Sequence, residues 1–86
     1  MELKEAVDRA KEALQAMMNL ELASVTGVSV SNGGWRVVIE MIERKAIPDT
    51  QDILGIYEVH LDDGGHVTGY ERTRIRRRMD LEEVVE

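Results

Sequence analysis

The chain has 86 residues, a mass of 9.7 kDa and a net charge of −6 at pH 7. A chain of this size buries roughly 60–65% of the surface its unfolded form exposes, enough for one domain around one simple core. The absence of cysteine excludes disulfides and thiolate metal centres, and no apolar run approaches the roughly 18 residues that would span a membrane.

Hydrophobic residues make up 43% of the chain and charged residues 33%, the balance of a soluble globular domain rather than a disordered one. The opening Met1-Glu2-Leu3-Lys4-Glu5 lacks the basic and then apolar layout of a signal peptide, so a cytoplasmic location is expected. Charge is unevenly placed. Residues 1–71 are acidic, residues 72–78 carry five arginines and no acid, and residues 79–86 carry four acids.

Leu3, Val7, Ala10, Leu14 and Met17 recur at spacings of 4, 3, 4 and 3, which predicts an amphipathic helix over 2–22. Ala6, Ala13, Met18 and Leu22 widen its apolar stripe. Ser24 to Ser31 alternates weakly and reads as a short strand. Asn32-Gly33-Gly34 is a tight-turn signal, because Asn and Gly tolerate positive φ. Residues 35–45 alternate clearly, with Trp35, Val37, Ile39 and Met41 on one face and Val38, Glu40 and Ile42 on the other. Pro48 marks a turn. Residues 52–61 follow as a third strand, with Tyr57, Val59 and Leu61 on one face and Leu54, Ile56 and Glu58 opposite. Asp62-Asp63-Gly64-Gly65 is a second hairpin turn, and residues 66–77 form the last strand.

The expected fold class is α+β: one N-terminal helix packed on one face of a four-stranded antiparallel meander. Residues 1–78 make the domain, and 79–86 a short acidic tail. The Trp35/Ile39/Tyr57/Val59 face would meet the helix. The opposite face would be open and would carry Val38, Ile42, Leu54 and Ile56 beside Glu40 and Glu58. A hairpin centred at residue 49 would set Ile42 against Ile56, Glu40 against Glu58 and Val38 against His60. Ordinary scattered aliphatics and a partner or dimer interface both account for that patch.

Chemistry is sparse. His60, Asp62, Asp63 and His66 lie close in sequence, but a Gly-rich hairpin tip uses Asp for turn formation, so no metal or other cofactor is expected. No nucleophile–base spacing and no phosphate-cradling glycine loop occurs, so no enzymatic activity is expected. Arg72, Arg74 and Arg76 would project to one face of the last strand. Such a row suits phosphates or an acidic protein surface, and a nucleic-acid-binding regulator is the alternative reading. The lack of aromatics beyond Tyr70 and the flanking acids argue against it.

The block Gly34-Trp35-Arg36-Val37-Val38-Ile39-Glu40-Met41-Ile42-Glu43 resembles the "GWRV-x-VE-x-x-E" strand of the gas vesicle synthesis protein O family. Ile47-Pro48-Asp49-Thr50-Gln51-Asp52-Ile53-Leu54 resembles that family's "IPDT-x-D-x-L". Tyr57-Glu58-Val59 with Leu61-Asp62, and Gly69-Tyr70 with Arg72 and the arginine run, are similar to its later blocks. Ile75 stands where the family's last strand carries an aromatic. The segment Tyr57 to Tyr70 is also similar to PepSY-type domains, which lay a helix on an antiparallel meander. The resemblance implies a non-enzymatic accessory protein of gas vesicle assembly, cytoplasmic or associated with gas vesicles. It implies action with an AAA+ ATPase of the gas vesicle protein N type, with the small shell protein, or with both. The partner-binding residues expected on that basis are Val38, Glu40, Ile42, Leu54, Ile56, Glu58, Arg72, Arg74 and Arg76.

Overall fold

The computed structural model describes residues 2–78, so the acidic tail expected at 79–86 lies outside the described residues. Helix α1 spans Leu3–Met18. Four strands follow: β1 (Glu21–Ser31), β2 (Gly34–Arg44), β3 (Ile53–Leu61) and β4 (Val67–Arg77). They form one antiparallel sheet in the order β1-β2-β3-β4. This is the α+β helix-on-meander arrangement expected from the sequence.

Helix α1 begins with a capping box between Glu2 and Glu5, which satisfies amides that the first turn leaves unpaired. It ends earlier than expected. Asn19 adopts the left-handed conformation at φ 55° and its amide bonds to Gln15 O at 3.1 Å, a recurrent helix stop. Leu22 therefore belongs to β1, where it still packs against the same core. An apolar residue every third or fourth position serves a helix stripe and a following strand equally, which is why the sequence pattern overshot. Met17 also leaves the stripe: it is exposed, and Met18 takes its place against the core.

Ala10 and Leu14 of the helix meet Val37, Ile39, Met41, Tyr57, Val59 and Leu61 of the sheet. Leu14, Ile39, Met41, Val37 and Val59 are wholly buried, each worth about 1.5–3 kcal/mol of transfer free energy. Trp35 is half-buried at the margin of this core. The β1–β2 turn has positive φ at both central residues, Asn32 (50°) and Gly33 (79°), the geometry that matches the twist of the flanking strands.

Strand pairing departs from the expected register by two residues. Ile42 opposes Leu54, Glu40 opposes Ile56, and Val38 opposes Glu58. The hairpin is centred at residue 48 because a single 3-10 turn at Asp49–Gln51 occupies the far side of the loop. A shift of two preserves the face of every side chain. The bulges do not: register breaks occur in β1, in β2 near Glu43, and in β4 at Thr73 and Thr68.

Candidate functional site

The sheet face opposite the helix holds most of the expected site residues, but its apolar members are not exposed. Relative exposure is 8% for Ile42, 1% for Leu54 and 8% for Ile56, while Val38 is half-buried. The cover comes from a long side chain. Arg76 starts on β4, opposite Leu54, and its guanidinium reaches Glu40 on β2. Strand β3 lies between, so the Arg76 stem crosses the outward side of Leu54 and Ile56. Its Nε and Nη2 both donate to Glu40 Oε2, at 3.2 and 2.7 Å. Ser24 Oγ donates to the other carboxylate oxygen at 3.4 Å. A cation thus roofs an aliphatic strip with its own methylenes.

Arg72 does the same on the other face. The sequence pattern put Arg72, Arg74 and Arg76 in one row, but the bulge at Thr73 turns Arg72 to the helix side, opposite Tyr57. There it crosses β3 and donates to Glu43 Oε2 at 3.4 Å. The Tyr57 hydroxyl donates to the same oxygen. Room for the carboxylate exists because β3 carries a glycine at this point: a Cβ on Gly55 would stand 2.9 Å from both Glu43 Cδ and Tyr57 Cε1. Burial first, and the Glu43 carboxylate second, push the Tyr57 hydroxyl up to about 12.

Arg78 makes a third link. Its Nη2 donates to Asp52 Oδ2 at 3.0 Å, its Nε to Asp49 O at 3.2 Å, and its backbone amide to Asp52 O at 2.9 Å. Asp52 Oδ1 accepts the Ala46 amide at 2.7 Å, so one buried carboxylate closes the β2–β3 loop and ties it to the end of β4. The Ala46 amide, then the Arg78 guanidinium, hold the Asp52 carboxyl below its ordinary value. Folding therefore favours the ionised form. The resulting stability is complete above the ordinary value of 3.8 and is lost as pH falls through the lower folded value. Urea melts between pH 5 and pH 2.5 should show this acid loss, and Asp52→Asn should have a shallower pH slope; an unchanged slope would refute the assignment.

Sequence reasoning missed Glu43, Asp52 and Arg78 as partners. The partners themselves lie within the resemblance blocks: Glu40, Glu43 and Asp52 each hold one arginine of the run at 72–78.

Two expected site residues, Glu58 and Arg74, take no part in these three links. Glu58 is half-buried and faces Arg36 and His60, each at 3.8 Å, rather than an arginine of β4. Arg74 is exposed opposite Ile56. At the far end of the sheet a recess of about 390 Å³ lies between the hairpin tips, lined by Gly34, Trp35, His60, Asp62 and Thr68 among others. Asp62 is engaged in its own turn. Its Oδ1 accepts the His66 amide at 2.8 Å and the Gly64 amide at 3.0 Å, and chiefly the His66 amide lowers its pKa.

A family model described as gas vesicle synthesis protein GvpO matches residues 1–82. The chain is 46% identical over 82 residues to gas vesicle protein O of Haloferax mediterranei, a match covering 94% of this chain and 59% of that one. It is 44% identical over 81 residues to gas vesicle protein O1 of Halobacterium salinarum, covering 94% and 68%. With gas vesicle protein O of a Streptomyces species the identity is 36% over 61 residues, covering 71% and 48%. No solved structure matches. The chain thus spans about half to two-thirds of the length of these relatives, and the matches support a role in gas vesicle formation. On the family match and these identities, the chain belongs to the gas vesicle synthesis protein GvpO family.

Proposed function

We propose that this domain is a non-enzymatic accessory factor of gas vesicle formation that engages a protein partner through the helix-free face of its sheet. The partner would be an AAA+ ATPase of the same assembly system or the shell protein. One observation carries this reading: helix α1 covers one sheet face, whereas among the described residues only side chains of the sheet and its loops cover the other. On that face half-buried Val38 sits among Arg36, Glu58 and His60, an apolar centre within a polar rim that would fix orientation. Catalysis draws no support from the carboxylates. Glu40, Glu43, Asp52 and Asp62 are all held in structural hydrogen bonds.

The nucleic-acid reading is weakened by the same contacts, since Arg72, Arg76 and Arg78 are each neutralised by a carboxylate of this chain. The test is binding of the purified domain to the ATPase and to the shell protein. Val38→Lys and Glu58→Arg should each weaken binding by about tenfold or more, with unchanged melting temperature. Wild-type affinity in both variants would sink the proposal. A strongly salt-dependent complex with DNA or RNA would transfer the function to the basic strand.

A further inference from the structure

Strand β4 is an edge strand: the order β1-β2-β3-β4 leaves its outer side with no neighbour among the described residues. Five arginines over 72–78 argue against a second copy there. The side-chain contacts remove most of that objection. Arg72, Arg76 and Arg78 are neutralised by Glu43, Glu40 and Asp52, and Arg77 is also engaged. Two exposed charges of the strand have no hydrogen bond or ion pair among the described residues, Glu71 and Arg74. Glu71 is worse than unpaired, since it lies directly opposite Glu58 on β3, an unfavourable placement of like charges.

The other face of the same strand carries two exposed apolar side chains. Tyr70 is 41% exposed and Ile75 51%. They stand opposite Val59 and Gly55, on the helix side. In a regular strand residues five apart point to opposite faces, and residues three apart do so as well. The bulge at Thr73 changes this. It puts Tyr70 and Ile75 together on the helix side, and Glu71 and Arg74 together on the helix-free side.

This arrangement is self-complementary. Let a second β4 run antiparallel to the first, with a two-fold axis between Arg72 and Thr73. Tyr70 then faces Ile75 of the other copy, and Glu71 faces Arg74 of the other copy. Each pair occurs twice, as a closed two-fold interface requires. Slipping the pairing by one residue in each copy separates Glu71 from Arg74 and sets Tyr70 against Thr73 or Arg77. We infer that β4 pairs with β4 of a second copy of this chain in this register, giving one continuous eight-stranded sheet. Both helices lie on the same side, the apolar pairs fill the seam between them, and the ion pairs close the opposite side. The interface is separate from the Val38 region proposed for other proteins.

Sedimentation equilibrium over a concentration series tests this. The wild-type chain should dimerise reversibly. Glu71→Arg and Arg74→Glu should each raise the dimer dissociation constant roughly tenfold or more, by setting like charges across the seam. The double variant should restore the dimer. Glu71→Arg relieves the contact with Glu58, so it does not act by unfolding the protomer, and a thermal melt checks this. As a second readout, the chain has no cysteine of its own, so Tyr70→Cys with Ile75→Cys should give an oxidised, covalently linked dimer. A monomer at every concentration overturns the inference. So does a dimer indifferent to both single changes, or one that the double change fails to restore.

Discussion

Gly34→Ala is expected to lose several kcal/mol of stability, the largest effect of any single methyl added to this chain. A Cβ at this position would fall well inside van der Waals contact of the Leu61 carbonyl oxygen. It would also lie 3.2 Å from the Leu61 carbonyl carbon and 3.3 Å from Asp62 Cα. All three atoms are backbone, at the end of β3 and the residue after it, beside the Trp35–Leu61 pair that opens the β2–β3 ladder. No rotamer change relieves such a clash; only separation of the two strands does. Overpacking in a core costs about 1–3 kcal/mol where side chains can shift, and more where backbone must move. For a domain of this size about 3 kcal/mol corresponds to a melting-temperature drop on the order of 12–24 °C. Gly69→Ala is the control, because nothing lies within 4 Å of a Cβ there. Equal melting temperatures for the two variants would show that β2 and β3 part easily at this end.

The second large effect is expected at Glu40. Its side chain and that of Arg76 are only 11% and 14% exposed, with donor and acceptor 2.7 Å apart. Glu40→Ala would strand the guanidinium over Leu54 and Ile56, at a cost of about 2–4 kcal/mol. Arg76→Ala would cost a similar amount, partly through lost cover over those aliphatic side chains. Joint replacement, Glu40→Leu with Arg76→Met, should be close to neutral, because removing both charges also removes their desolvation penalty. The measurement is a double-mutant cycle from urea denaturation. Additive losses would mean that the two side chains act independently. The same logic redirects tests of partner binding. Ile42→Asp or Ile56→Asp would bury a charge and unfold the domain, so neither reports on an interface.

The helix, four strands and both hairpin turns were legible because each rests on local physics. The 3- and 4-residue spacing from Leu3 to Leu14, the alternation from Trp35 to Ile42, and the Asn-Gly and Asp-Asp-Gly-Gly turns need no distant partner. The face of each side chain from Trp35 to Ile42 and along β3 was legible too, since a two-residue error in register leaves parity intact. What escaped was decided by single inserted residues. The bulge at Thr73 carries no sequence mark, yet it sends Arg72 and Arg76 to opposite faces. The pairing of Glu43 with Arg72 depends on that bulge, on the break near Glu43 and on the missing side chain of Gly55. The burial of Leu54 depends on a cation two strands' width from its carboxylate, a distance that no pattern along the chain encodes.

The three arginine links give β4 an attachment unlike that of its neighbours. Strands β2 and β3 contribute Val37, Ile39, Met41, Tyr57, Val59 and Leu61 to the core, whereas no residue of β4 is fully buried. Hydrophobic burial and ionic attachment respond to different conditions. In amide hydrogen exchange, β4 should therefore behave as a separate opening unit, with its protection set by pH and salt rather than by the global unfolding free energy. At low pH the protonation of Asp52 would loosen its far end first, leaving α1 and three strands as the slowest-exchanging body.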